Sequence, residues 1–489
     1  MAEFIIANMA PLMFGALVLF LLFGYPVAFA LAANGIVFGL IGIELGLLQP
    51  ALFQALPERI FGIMANDTLL AIPFFTFMGL ILERSGMAED LLDTIGQLFG
   101  PLRGGLAFAV IFVGALLAAT TGVVAASVIS MGLISLPIML RYGYDKRLAS
   151  GVIAASGTLA QIIPPSLVLI IMADQLGKSV GDMYEGAMIP GLVLTGLYVG
   201  YVVLLTLIKP NAAPALPPEA RTLRGIKLFV RVITTMVPPL LLIFLVLGTI
   251  FLGIATPTEG GAMGAAGALI LAIGRKRLSW KLLKQAMATT GKLSSFVVFI
   301  LVGSTVFGLV FRAVNGDLWV EHLLLSLPGG QMGFLIVVNI LVFLLAFFLD
   351  FFELSFIIVP LLAPVADKLG IDLIWFGVLL AVNMQTSFMH PPFGFALFYL
   401  RSVAPASIKT TDIYWGAIPF VCIQIIMVAL IIIFPNIVSY GDPEAKARME
   451  QSESVDLDTL MQQSGGEAAG GEQKDTGADF LKQLQQNEK

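Results

Sequence analysis

Charge is the first thing this chain lacks. Only 12% of its 489 residues are Asp, Glu, Lys or Arg, and 58% are hydrophobic. A soluble domain carries about 25% charged residues, so the deficit excludes an ordinary water-soluble fold and makes lipid the solvent for most of the chain. Cysteine occurs once, at Cys422, which excludes a disulfide framework and a Cys-based metal cluster. Two histidines and no HExxH leave no obvious metal catalyst, and no GxxxxGK[ST] loop is present to hold ATP phosphates. No enzymatic activity, organic cofactor or nucleic-acid partner is expected. The start of the chain also lacks the basic residues of a secretory signal, with Glu3 its one early charge, and its apolar stretch outruns a signal core.

What the chain has instead is long apolar runs. A bilayer core of about 30 Å needs about 20 apolar residues per helix. Residues 4–43 and 104–140 each contain no charged side chain and are long enough for two passes. Fifty glycines and 26 prolines point to close helix packing and interrupted helices. Residues 441–489 differ in kind. They hold 11 acidic and 5 basic side chains, a net of −6, which leaves +1 for the remainder of a chain with net charge −5. This tail reads as polar and disordered.

Comparing the chain with itself reveals a repeat. Pro137, Gly143, Tyr144 and Asp145 match Pro364, Gly370, Ile371 and Asp372 at a constant offset of 227. Pro164-Pro165 and Pro391-Pro392 match at the same offset, and Asp182 to Ala187 matches Asp412 to Ala417 at 230. Near the start, Pro26 is set against Pro257. The halves are 1–210 and 225–440, joined by a Pro/Ala-rich linker at 211–224. Passes are expected near 4–25, 26–48, 68–83, 148–172, 187–208, 232–252, 256–274, 293–312, 373–400 and 414–438. The runs 104–140 and 333–363 leave and return on one side, as re-entrant hairpins or pairs of passes. Basic residues gather at Lys209, Arg221, Arg224, Lys227 and Arg231, and again from Arg275 to Lys284. The positive-inside rule makes that side cytoplasmic. About five crossings per half, an odd number, would invert the second half relative to the first and leave both termini periplasmic. The expected fold class is an all-α polytopic membrane protein with two inverted-topology repeats, broken helices and two re-entrant helical hairpins.

Such repeats with interrupted helices are typical of secondary transporters, whose sites lie near the midplane. Each double proline removes two backbone donors and pushes the preceding residue out of the α region. Freed carbonyls there suit Na⁺, and a half-helix N-terminus suits an anion. One such break alone reads more readily as a packing kink; two at matching positions beside uncharged polar residues favour a site. The hairpin tips are the second candidate. Thr121, Gly122 and Ser127 mark the first, Asp350 to Glu353 the second. Acidic residues at membrane depth default to function, although this tip can equally reach water or pair with Arg312 or Arg401. His390 borders the second double proline and suits hydrogen bonding to substrate or a structural role. Arg312 and Arg401 suit a carboxylate, with snorkelling the alternative for Arg401. Glu259, behind Thr256-Pro257-Thr258, is a substrate candidate or a helix cap. His322 follows Glu321 in an expected loop.

At these residues the sequence resembles the large membrane subunit (DctM-like) of tripartite ATP-independent periplasmic (TRAP) transporters. The stretches that carry the resemblance are Leu69 to Phe75, Thr256 to Glu259, Ile163 to Pro165, Pro364 with Gly370 to Asp372, and Pro391 to Gly394. The resemblance implies Na⁺-driven uptake of an organic acid, usually a carboxylate, by an elevator-like moving domain in the bacterial inner membrane. It also implies a periplasmic substrate-binding protein and a small four-helix membrane subunit, here a separate chain. Its Na⁺ sites carry over onto Thr121, Gly122, Ser127, Gly157, Thr158 and Ile163 in the first half, and onto Asp350, Asn383, Gln385, Thr386 and His390 in the second. His390 stands where the family commonly has threonine. Two other readings remain open: a stand-alone inverted-repeat anion transporter, and a structural membrane subunit without transport of its own.

Overall fold

The structure, a computed structural model, describes residues 2–439 except 122, 123, 348 and 393, with the backbone alone for 2, 22 and 118–121. The polar tail expected at 441–489 lies outside these residues. Among the described residues the chain is helical, with no strand.

Helix bounds recur down the chain. Val27–Glu44 and Pro257–Gly274 differ by 230 at both ends. Lys146–Thr158 and Leu373–Gln385 differ by 227 at both ends, and so do the 3₁₀ turns that continue them, Leu159–Gln161 and Thr386–Phe388. The two Pro-Pro bonds, both cis, follow at that offset. The repeated Gly-x-Asp motif has a local cause. Gly143 (φ 80) and Gly370 (φ 69) take the left-handed turn that ends one helix. The next residue but one caps the following helix. Asp145 accepts from the Arg147 and Leu148 amides at 2.9 and 3.1 Å, and Asp372 from the Trp375 amide at 2.8 Å. The offset of 230 sets Pro26 opposite Thr256, not opposite Pro257. Pro26 and Thr256 are both N-caps, whereas Pro257 already lies inside its helix.

Six described helices are long and apolar enough to cross a membrane: Val27–Glu44, Val124–Arg141, Val180–Ile208, Gly225–Phe251, Trp280–Ala313 and Thr410–Ile433. Trp280–Ala313, with 34 residues, runs farther than the expected 293–312 pass because no proline separates its polar start from its apolar body. His322 lies within helix Gly316–Leu325, not in a loop. That helix and Gly330–Leu345 meet at a bend of 116°.

The halves are interwoven, not set side by side. Val27–Glu44 packs on Trp280–Ala313, and Ala71–Arg84 packs on Pro257–Gly274. Lys146–Thr158 packs on Thr410–Ile433, and Val180–Ile208 packs on Leu373–Gln385. In apolar surroundings helices associate through close packing, which small residues permit. A Cβ on Gly151 would meet the Gly416 carbonyl, and one on Gly416 would meet the Arg147 carbonyl. The linker is also fastened. Gly104 donates to the Ala213 carbonyl, Asp145 to that of Ala212, and Leu216 to that of Gly100, at 2.8–2.9 Å. Arg231, Arg275 and Arg277 all pair with Asp90, at 3.6, 3.5 and 3.1 Å.

Candidate functional site

The two broken spans meet each other within the described chain. Each keeps its α-helix up to a 3₁₀ turn, loses it at the double proline, and resumes as a second helix, Leu167–Leu176 or Phe395–Val403. The prolines remove the amides that would serve the carbonyls of Ala160, Gln161, Ser387 and Phe388. Ser166 repairs one loss, donating its hydroxyl to the Gln161 carbonyl at 2.6 Å while capping the next helix at the Val168 amide.

Where the spans touch, Gln385 donates through Nε2 to Thr158 Oγ1 at 3.1 Å. These residues are 227 apart, so the bond joins matching positions of the two halves. Gln424 Nε2 approaches the same hydroxyl at 3.4 Å and donates to the Tyr198 hydroxyl at 2.8 Å. All four side chains are fully buried. The Oε1 atoms of Gln161, Gln385 and Gln424 and the Ser387 hydroxyl find no hydrogen-bond partner among the described residues. A buried polar atom is normally bonded, since leaving it unpaired costs roughly 1–3 kcal/mol. The donor set here is uncharged oxygen throughout, which suits a hard monovalent cation such as Na⁺.

The hairpins brace these spans. The site of a Cβ on Gly157 is taken by Val128, at the start of the first hairpin's second arm, Val124–Arg141. Ser127, beside it, is fully buried. In the second half, Asn383 donates to the carbonyl and the Oδ1 of Asn339 on the hairpin arm Gly330–Leu345, at 2.8 and 3.0 Å. Thr386 turns its hydroxyl back to the Asn383 carbonyl at 2.6 Å. Ile163 is buried within the first break. Gly122 lies outside the described residues, as does the Thr121 side chain.

The second tip is aromatic and acidic. Asp350 and Glu353 form a reciprocal capping box at 2.9 and 3.0 Å and open an arm whose next turn, Leu354–Ile358, is π-helical. No ion pair to Arg312 or Arg401 forms there among the described residues. His390 is buried and stacks on Phe347, with centroids 3.9 Å apart, and meets Phe343 edgewise at 5.0 Å. Both its ring nitrogens lack partners among the described residues.

Three sequence candidates lie elsewhere. Arg401 is exposed and donates to the Ile408 carbonyl at 2.6 Å. Glu259 is exposed and caps its own helix, accepting from the Thr256 amide at 2.8 Å. Arg312 faces a cavity of about 480 Å³ between helix Trp280–Ala313 and the second hairpin, which Arg59, Asp174, Asp317 and Ile357 also line. Sequence reasoning missed Gln424 and Tyr198, single polar groups on long apolar helices. It missed Glu83 too, which accepts from the Ser130 hydroxyl at 2.6 Å. A charged residue inside the apolar 68–83 pass was the available signal.

A family model described as "Tripartite ATP-independent periplasmic transporter, DctM component" matches residues 14–437. The chain belongs to this family. It is a TRAP transporter large permease component, a multi-pass membrane protein and not an enzyme. The C4-dicarboxylate TRAP transporter large permease protein DctM of Pseudomonas aeruginosa is 29% identical over 392 residues, 80% of this chain and 90% of that protein. Its Vibrio cholerae counterpart is 30% identical over 434 residues, 84% and 92%. The isethionate TRAP transporter permease protein DctMQ of Oleidesulfovibrio alaskensis is 28% identical over 82% of this chain and 61% of that protein. Among solved structures, the YdaH transporter of Alcanivorax borkumensis, described as having an unusual topology, matches with a TM-score of 0.53 and 15% identity, over 79% of this chain and 90% of that one. At that identity the likeness is one of fold.

Proposed function

We propose that this TRAP permease imports an organic acid across the bacterial inner membrane, driven by a Na⁺ gradient. The observation that carries this reading is the Thr158–Gln385 contact between matching breaks, where Gln385 and Gln424, both bonded to the Thr158 hydroxyl, each keep a buried carbonyl oxygen unpaired among the described residues. The relatives named for C4-dicarboxylate and isethionate supply the substrate class. Bound Na⁺ would supply the positive charge that an anionic substrate needs in a site where no cationic side chain stands among the described residues. Gln161, Thr158, Gln385 and Ser387 would hold the ion with the freed carbonyls, Gly157 would let the first hairpin close on it, and Asn383 would tie the second hairpin to its break.

An elevator-like motion is part of the proposal. Helix Ala71–Arg84 ends 229 residues before Trp280–Ala313, so Glu83 and Arg312 hold matching positions, and Ser130 matches Ile357 at 227. Glu83 is bonded to Ser130, whereas Arg312 and Ile357 line the 480 Å³ cavity. One face of the moving part is thus clasped to the framework while the matching face is open. We place the basic clusters on the cytoplasmic side, both termini in the periplasm and the halves in inverted orientation. A small four-helix membrane subunit and a periplasmic binding protein complete the system.

The test is uptake into proteoliposomes that contain the permease, its small subunit and the binding protein. Accumulation should require an inward Na⁺ gradient and collapse when that gradient is dissipated. Transport indifferent to Na⁺ removes the coupling, and transport without the binding protein favours a stand-alone carrier.

A further inference from the structure

The second tip differs from the first in a way that speaks to the substrate. Phe343 and Phe347 flank it on the incoming arm, Phe351 and Phe352 open the outgoing arm, and Phe388 and Phe395 flank the adjoining break. The matching positions for the last four, 227 residues earlier, are Val124, Ala125, Gln161 and Val168. Phe343, Phe347, Phe352, Phe388 and Phe395 are half-buried, so their rings still present surface. Against Phe343 and Phe347 sits a buried imidazole, one face on Phe347 and both edge nitrogens unpaired among the described residues. The charged residues on the tip, Asp350 and Glu353, are both acids.

Resting on the transport reading above, we propose that the second tip selects a monocarboxylate with a flat apolar body, and that His390 is its polar reading head. A neutral imidazole donates one hydrogen bond from its ring edge and accepts another, so it can pair with a carboxylate or a ring hydroxyl. Half-buried phenyl rings accept an aromatic body edge-on or offset. A second carboxylate is disfavoured, because it would meet Asp350 and Glu353 and not a guanidinium; Arg401 is committed to the Ile408 carbonyl. A polyhydroxylated acid is disfavoured as well, because its hydroxyls would lose water against phenylalanine without gaining partners.

Calorimetric titration of the permease–small subunit complex in lipid nanodiscs, in NaCl, tests this with phenylacetate, cyclohexylacetate, succinate and gluconate. Phenylacetate should bind at least tenfold tighter than succinate or gluconate, with cyclohexylacetate between. Phe347→Ala should lower the phenylacetate-to-succinate preference about tenfold. His390→Phe, which keeps the stack and removes the nitrogens, should weaken phenylacetate about tenfold, and His390→Gln should recover part of that loss. Melting curves of the variants separate a local loss from unfolding. Succinate binding as tightly as phenylacetate overturns the proposal, and so does no phenylacetate binding at millimolar concentration or an unchanged ranking in Phe347→Ala. Because the titrations contain no gradient, Na⁺-driven uptake of some other acid would leave the transport reading standing while this one falls. Na⁺-indifferent transport with the predicted ranking would do the reverse.

Discussion

The two hairpins occupy matching places in the repeat, yet they are built differently. The outgoing arm of the first, Val124–Arg141, is an unbroken α-helix that lies against glycine at position 157. The outgoing arm of the second begins with an acidic capping box and a π-helical turn, and its Ser355 touches the sulfurs of Met172 and Met384 at 3.5 and 3.8 Å. Val128–Gly157 and Ser355–Met384 are matching pairs in the repeat. One is a close, inert contact. The other is polarizable and looser, in keeping with π-turns marking functional sites. A duplicated frame can thus hold a common element, the paired breaks, while one copy specialises. We assign ion binding to what the halves share and substrate choice to what only the second half carries.

The sharpest way to break this comparison is at the shared crossing. Gly416→Val would drive a side chain into the Arg147 carbonyl. Overpacking of backbone against backbone should abolish folded, monodisperse protein, as read by size-exclusion chromatography. Next in size is the shared polar contact. Gln385→Ala removes the Gln385 donor from the Thr158 hydroxyl, which keeps its bond to the Ala155 carbonyl and the longer approach of Gln424, and removes one oxygen from the proposed ion site. With roughly 1–3 kcal/mol at stake, Na⁺-driven uptake should fall about tenfold or more while the protein still folds. An unchanged Na⁺ dependence would separate the contact from coupling.

The asymmetry of Glu83 and Arg312 offers a middle-sized effect. In a Cys422→Ser background, a cysteine at Ser304, beside the 480 Å³ cavity, reports access from the open face. Ser130→Ala removes a hydrogen bond to a carboxylate worth about 1.5–3 kcal/mol. Labelling by an impermeant thiol reagent should slow about tenfold as the clasped face opens. The smallest effect is expected at Glu259. Glu259→Ala removes a helix cap worth about 1 kcal/mol and should lower the melting temperature slightly, with uptake within twofold of the parent. A large loss of uptake at normal stability would restore Glu259 as a substrate ligand.

The legible parts of this molecule were those with a backbone cause. Double prolines delete amides wherever they occur, so both breaks could be placed from the sequence, and Gly-x-Asp announced a helix end and a cap. Side-chain commitments were less legible. Thr256 and Glu259 satisfy each other locally, and Arg401 reaches a carbonyl seven residues on, which residue type alone does not reveal. Gln424 and Tyr198 pair with each other across 226 residues and nothing local marks them, whereas Glu83, bonded to a partner 47 residues away, is marked only by its charge in an apolar pass. The linker looked like a free connector because proline and alanine carry no polar side chain, yet its backbone is bonded beneath the first hairpin. Register errors were small where a helix start was ambiguous, as with Pro26 and Thr256.

The central claim is that Thr158 and Gln385, one from each half, act together in a Na⁺-coupled site. A double-mutant cycle on Na⁺-driven uptake with Thr158→Val, Gln385→Leu and the pair addresses it most directly. The account predicts that each single variant loses about tenfold in apparent Na⁺ affinity and that the double variant loses little more. Losses that simply multiply, or Na⁺ affinity unchanged in all three, would contradict it.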